Sequence, residues 1–354
     1  MRTFILDESN SSRIGRCLAA QDGTLWCVQS GSGAEFGFCG SKLVLTVKGG
    51  AVAFPESVNS VRMVVFVNGE RAADVLLDED MQSFVLIDSD KAVDAQIRII
   101  KVSEAAKSVL GIVSLSADEG AVFSKTEKKQ LHIEFIGDSI TCGYGVDDEV
   151  IEHSFSTATE DCTKAYAYKT AQALGAEYSL FSYSGWGVVS GWTETGERSA
   201  HMLIPDYYDT VGFCEAPLSG QKMQDFPWDT ESFGADIVVI NLGTNDESYC
   251  GTDEARRAEF TEGYVKFLGM VRAHNPKAHI ICALGIMGDA MYPCVELACR
   301  DYSEKTGDKN VSAFRFVPQD GEADGFAVDW HPTEKTNDKA AKALFQYIEQ
   351  QIIV

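Results

Sequence analysis

LHIEFIGDSITCGYG, residues 131–145, contains the break on which the fold turns. Ile133, Phe135 and Ile136 make an apolar, strand-forming run that stops at Gly137-Asp138-Ser139, a turn-forming tripeptide. Behind it the pattern becomes strand, loop, helix, repeated. A helix is expected over 164–174 and a strand over 178–183. DIVVINL at 236–242 is continuously apolar, as a parallel strand buried on both faces should be. A long amphipathic helix follows over 253–274, with Asp253 as its N-cap and Pro276 beyond its end. A strand at 279–286, a helix at 292–305, a strand at 311–317 and a closing helix at 333–352 complete the series. Alternating units of this kind imply an α/β domain whose parallel sheet is covered on both faces. Ligands in such domains sit beyond the carboxyl ends of the strands.

Ahead of residue 126 the period differs. Short runs rich in Val, Ile, Phe and Leu fall at 24–28, 34–38, 42–47, 61–67, 71–77, 83–87, 95–102 and 111–115. Their spacing suggests an antiparallel β-sandwich or jelly roll. The sharpest local signal is VVFVNGERAADV, where Asn68-Gly69 suits a type I′ hairpin turn. The polar stretch 116–129 marks a boundary, so two domains are expected, 1–125 and 126–354.

Composition narrows the function. Thirty Lys plus Arg against 53 Asp plus Glu leave a net charge of −23 in 354 residues. A field of that sign repels phosphate backbones and anionic lipid surfaces, so neither nucleic acid nor a membrane is an expected partner. No stretch is apolar for the roughly 20 residues that a membrane span needs. Asp7 and Glu8 interrupt any signal-peptide core, and the ten cysteines lack a CxxC pair. Together these features predict buried thiols in a cytoplasmic protein.

Three strand-to-helix junctions carry chemistry: Gly137-Asp138-Ser139, Gly243-Thr244-Asn245-Asp246 and, before the closing helix, Asp329-Trp330-His331-Pro332. Each has a bland reading alone, as a turn, a helix-entry loop or a structural histidine. Together they fit acyl transfer. A serine hydroxyl is a weak nucleophile until an imidazole removes its proton. The resulting tetrahedral oxyanion needs donors, each worth about 3 kcal/mol. Ser139 offers the hydroxyl and a first donor in its own N–H, Asn245 offers a carboxamide, and His331 is the base. Gly185, in Ser184-Gly185-Trp186-Gly187, offers a further backbone N–H. Asp138 and Asp246 read as braces for the turns carrying Ser139 and Asn245.

This ordered set resembles the SGNH (GDSL-type) hydrolase superfamily over residues 131–352. The blocks GDSITCGYG, SGWGV and DWHP are similar to carbohydrate esterase family 2 in particular. The resemblance implies a three-layer SGNH-hydrolase domain with a parallel five-stranded sheet, preceded by a jelly roll. It also implies a serine esterase that removes acetyl groups from xylan or glucomannan and works without a cofactor. It places the oxyanion glycine on Gly185. The superfamily's acid, three residues before the histidine, falls on Val328. Asp329 is the nearest carboxylate and the expected third catalytic member, against a Ser–His dyad whose histidine leans on a backbone carbonyl. Tyr144, Trp186, Trp192, Tyr249 and Trp330 are expected to contact the oligosaccharide.

Rival patterns are weak. The glycines from Gly185 are spaced GxGxxxG, and no P-loop, HExxH or GxSxG occurs. No metal site is expected. A lipid or thioester hydrolase using the same residues remains open, as does a non-catalytic carbohydrate-binding protein. Oligomeric state is not legible.

Overall fold

The structure, a computed structural model, describes residues 1–215 and 220–353. They fall into two compact units. The first comprises Met1–Lys128, Ser156–Glu160 and Thr210–Pro227, and the second comprises Lys129–Phe155, Asp161–Asp209 and Trp228–Val354.

The first unit is an antiparallel sheet of ten strands, curled around a core that includes Phe36, Leu43, Leu45, Val65, Ile97 and Leu115. Gly33–Lys48 and Met81–Lys101 are its long strands, and they pair with each other. The sequence suggests two strands for each because polar residues interrupt the apolar runs. A register shift between Gly40 and Lys42 absorbs one interruption while the ladder continues. Asn68 (φ 53°) and Gly69 (φ 85°) both take the positive φ that a type I′ turn demands. Three-residue strands such as Val122–Ser124, paired with Gly37–Cys39, are too short for alternation to reveal. The later segments in this unit are tied in by long-range bonds. Arg62 Nη1 donates to the Glu160 carbonyl at 3.3 Å, and Arg16 Nη1 to the Thr210 carbonyl at 2.5 Å.

In the second unit the strands are β1 (His132–Gly137), β2 (Glu177–Ser182), β3 (Ile237–Asn241), β4 (His279–Leu284) and β5 (Val311–Arg315). All are parallel, in the order β2-β1-β3-β4-β5. Helices Tyr166–Ala173 and Glu334–Gln351 pack together, as do Glu254–His274 and Tyr292–Thr306. Right-handed crossovers running outward in opposite directions from β1 put these pairs on opposite faces. Asp253 caps its helix by accepting from the N–H groups of Ala255 and Arg256. No helix among the described residues is long and apolar enough to cross a membrane.

Strand order decides where chemistry can gather. β1 lies between β2 and β3, with Gly137 in register with Ser182 on one side and Asn241 on the other. The loops after these three strands therefore emerge side by side, at the point where the chain switches direction across the sheet.

Candidate active site

Ser139 opens a short helical turn, Ser139–Cys142, immediately after β1. Asp138 caps that turn: its Oδ1 accepts from the Ile140 N–H at 3.0 Å. The glycines on either side answer to close packing. A Cβ on Gly137 would sit 2.0 Å from Thr141 Oγ1, and one on Gly143 (φ 76°) would sit 2.3 Å from the Asp161 carbonyl oxygen. The turn is therefore tight, and Ser139 is only 6% exposed.

His331 reaches this serine from the loop before the closing helix. Its Nε2 lies 2.8 Å from Ser139 Oγ, and its Nδ1 lies 3.0 Å from the Val328 carbonyl oxygen. With Nδ1 carrying the proton toward Val328, the lone pair on Nε2 faces the hydroxyl. Burial pushes the imidazole pKa down to about 4, against smaller opposing effects from Val328 and Asp329.

Asp329 is not where the sequence suggests. Its Oδ2 accepts from the Tyr144 hydroxyl at 2.6 Å, while the imidazole Nδ1 is given to a backbone carbonyl. Asp329 (φ 51°) and Trp330 (φ 64°) are consecutive left-handed residues, which swing the carboxylate off the line of the ring nitrogen. The expected triad contact is thus replaced by the backbone contact of the dyad alternative.

The loops after β2 and β3 converge on one another. Asn245 is buried, and its Nδ2 donates to the Trp186 carbonyl at 2.8 Å, with Asp138 Oδ2 farther away at 3.5 Å. Gly185 holds φ 80°, with open space where a side chain would stand. Asp246 takes a part that the sequence reading missed. Besides bonding within its own turn, it accepts from the N–H groups of Val188, Val189 and Ser190 in the loop after β2, at 2.8 to 3.1 Å. Three successive backbone donors on one carboxylate fix the path of the Gly185 loop. The only sequence signal for this was Asp246 itself, next to Asn245. Burial raises Asp246 to about 6 despite those donors, and raises Asp138 to about 7 with help from the Asp246 charge.

The five aromatics part ways. Trp192 and Trp330 are 51% and 57% exposed and free to meet a ligand. Trp186 is 5% exposed and stacked on Tyr183 at 4.4 Å, so its indole is committed to packing rather than to sugar. The Tyr249 ring lies under the Arg256 guanidinium at 4.6 Å, and its hydroxyl bonds Glu259. Tyr144 stacks on His331 at 4.1 Å and on Phe155 at 4.6 Å, which leaves no face for a sugar ring.

Residues 135–339 match the GDSL-like lipase/acylhydrolase family, and residues 13–126 match the carbohydrate esterase 2 N-terminal family. The chain is 28% identical over 330 residues to cellulase/esterase CelE of Acetivibrio thermocellus, covering 92% of this chain but only 38% of that protein. It is 25% identical over 320 residues to an acetylxylan esterase / glucomannan deacetylase of Cellvibrio japonicus, covering 89% and 84% of the two chains. Among solved structures, the acetyl xylan esterase Est2A from Butyrivibrio proteoclasticus superposes with a TM-score of 0.88 at 25% identity, over 99% of this chain and 98% of that one. A family two carbohydrate esterase from Clostridium thermocellum, in complex with cellohexaose, gives 0.83 at 26% identity, over 97% and 99%.

Proposed function

The chain belongs to the GDSL-like lipase/acylhydrolase family, and on that premise we propose that it is a serine esterase removing O-acetyl groups from acetylated oligosaccharides of the xylan or glucomannan type. The observation that carries the reading is the 2.8 Å contact between Ser139 Oγ and a neutral, buried His331 whose other nitrogen is held by the Val328 carbonyl.

In this reaction His331 Nε2 takes the hydroxyl proton as Ser139 Oγ attacks the acetyl carbonyl carbon. The oxyanion forms beside the Ser139 N–H, the Gly185 N–H and Asn245 Nδ2. That amide donates to the Trp186 carbonyl at 2.8 Å and reaches Asp138 Oδ2 only at 3.5 Å, so the oxyanion competes with the longer of its two bonds. Collapse breaks the ester bond, and the imidazolium returns its proton to the departing sugar hydroxyl. Water then attacks the acetyl-enzyme, giving its proton to His331, and acetate leaves as Ser139 recovers its hydrogen. The depressed imidazole pKa keeps the base unprotonated at neutral pH.

The substrate class rests on three features. The relatives CelE and the Cellvibrio protein carry esterase and deacetylase names. The confined turn around Ser139 suits a short acyl group. Exposed Trp192 and Trp330 suit the apolar faces of neutral sugars, which a net charge of −23 does not repel. All ten cysteines are free thiols, which favours a reducing cytoplasm and imported oligosaccharides as working substrate.

Acetate release from acetylated xylan, acetylated glucomannan and nitrophenyl acetate, compared with octanoyl and palmitoyl esters, tests the assignment. Fast acetate release that Ser139→Ala abolishes is expected. A preference for palmitoyl esters would make the protein a lipid hydrolase, and sugar binding with no ester cleaved would make it a binding protein.

A further inference from the structure

We propose that Tyr144 and Asp329 form a clamp that positions His331 on Ser139, so that Asp329 serves the reaction through a phenol and not as the acid of a triad. The proposal rests on the reading of Ser139 and His331 as the ester-cleaving pair.

Tyr144 touches both halves of that pair. Its backbone N–H donates to the Ser139 carbonyl at 3.1 Å, so it belongs to the turn that presents the nucleophile. Its ring lies 4.1 Å from the imidazole, with 24° between the planes. Phe155 lies 4.6 Å away, also at 24°. Two rings so near and so nearly parallel to a third must take its opposite faces, which makes Phe155 the backing for a wall against His331. The imidazole is thus restrained twice, by the Val328 carbonyl at its edge and by Tyr144 on its face.

Asp329 fixes the wall. Its carboxylate holds the Tyr144 hydroxyl at 2.6 Å, in the short range of bonds to charged acceptors. The segment that carries it is strained, with two left-handed non-glycine residues in a row, and such conformations persist only where the surroundings over-determine them. Backbone bonds from the Val328 N–H to the Asp148 carbonyl and from the Asp329 N–H to the Ile151 carbonyl supply part of that restraint. Gly145 lets the two segments close up, since a Cβ there would stand 2.8 Å from Val328 Cβ. Among these restraints, the Tyr144–Asp329 bond alone runs through a side chain that also touches the imidazole. Aspartate suits position 329 on two counts: it tolerates the left-handed region, and its short carboxylate reaches the phenol.

A double-mutant cycle on nitrophenyl acetate, a substrate too small to need Trp192 or Trp330, separates clamp from triad. The clamp predicts that Tyr144→Phe and Asp329→Ala each lower kcat by about 10- to 30-fold with KM little changed, and that the double variant is no worse than either. Asp329→Asn, whose amide oxygen still accepts from the phenol, should stay within about threefold of the parent. A triad acid predicts the reverse: a loss of about 10⁴-fold in Asp329→Asn and a silent Tyr144→Phe. That reversal would overturn the clamp. So would a rise in KM for acetylated oligosaccharide with nitrophenyl acetate kinetics intact, or a lowered melting temperature with unchanged kcat per folded molecule. Ser139→Ala distinguishes the two levels of failure. If it retains full activity the esterase reading itself falls; if it is inactive while Tyr144→Phe is silent, only the clamp falls.

Discussion

The turns that deliver Ser139 and His331 to their 2.8 Å meeting are built in different ways. The serine turn is started by its own residues, since Asp138 caps it and Gly137 stands where a side chain would collide with Thr141 of the same turn, although Gly143 also makes room for the Asp161 carbonyl of a distant segment. The histidine turn contains no glycine. Asp329 and Trp330 both sit in the left-handed region, at a cost on the order of 1 to 2 kcal/mol each. It is held from outside, by the carbonyls of Asp148 and Ile151, by Gln319 Nε2 on the Trp330 carbonyl, and by Tyr144. On the proposed reading, the contrast separates presenting a nucleophile, which begins with a capped helix start, from aiming a base, which depends on distant segments. The same irregular turn leaves Trp330 exposed and sets the Val328 carbonyl 3.0 Å from the imidazole.

The largest effect should be indifferent to how the turns are built. Ser139→Ala and His331→Ala should each lower kcat by about 10⁴-fold or more in acetate release, since neither partner acts alone. A residual rate near the parent's in either would break the pairing. Next come the residues of the neighbouring loops. Asn245→Ala should cost about 10² to 10³ in kcat, and Asp246→Ala, which frees the Gly185 loop, about 10-fold or more. If Asp246→Ala is silent, the three N–H bonds from Val188, Val189 and Ser190 are dispensable to catalysis.

Stability should then divide the two turns. Gly143→Ala forces a side chain to φ 76° and against the Asp161 carbonyl, and should cost about 3 kcal/mol in denaturant unfolding. Trp330→Asn places a residue tolerant of the left-handed region at φ 64° and should leave stability equal or slightly raised. Equal losses in both would erase the distinction between a locally built and an externally held turn.

The smallest effect lies in the pH dependence. With the imidazole held at about 4, the limb of kcat/KM that belongs to His331 should be half complete near pH 4, below any smaller steps that Asp138 and Asp246 add near 7 and 6. The absence of a limb near pH 4 would show a solvated base. The sign for stability follows from the same shift. As pH falls from 6.5 to about 4, the unfolded chain takes up a proton that folded His331 refuses, so this group's contribution to stability declines across that window. The buried carboxylates Asp138 and Asp246, raised to about 7 and 6, act oppositely and destabilise as pH rises through the range above 3.8. The melting temperature measured against a His331→Gln variant isolates the histidine, because those carboxylates are common to both.

Much of the fold was legible because its signals are local. DIVVINL, the Asp253 cap and the Asn68-Gly69 hairpin each depend on a handful of neighbouring residues. The long strands of the first unit were not read whole, because the bulge at Gly40 that joins their parts is set by the partner strand. In the site, Ser139, Asn245 and His331 stood out as reactive types at strand ends. Asp329 was misplaced because two residues' separation from His331 says nothing about a left-handed turn between them. Trp186 and Tyr144 were expected to face sugar because aromatic character does not reveal what the ring packs against.

By itself, the sequence determined the alternation that makes a parallel sheet, the spacing of apolar runs, and the residue types able to perform acyl transfer. These are consequences of periodicity and of side-chain chemistry. Only the tertiary structure decided which carbonyl holds the imidazole, which loop Asp246 braces and which tryptophans remain open to a ligand. Each of those depends on contacts between segments far apart in the chain, such as the 192 positions separating Ser139 from His331, and local residue preferences carry no record of such encounters.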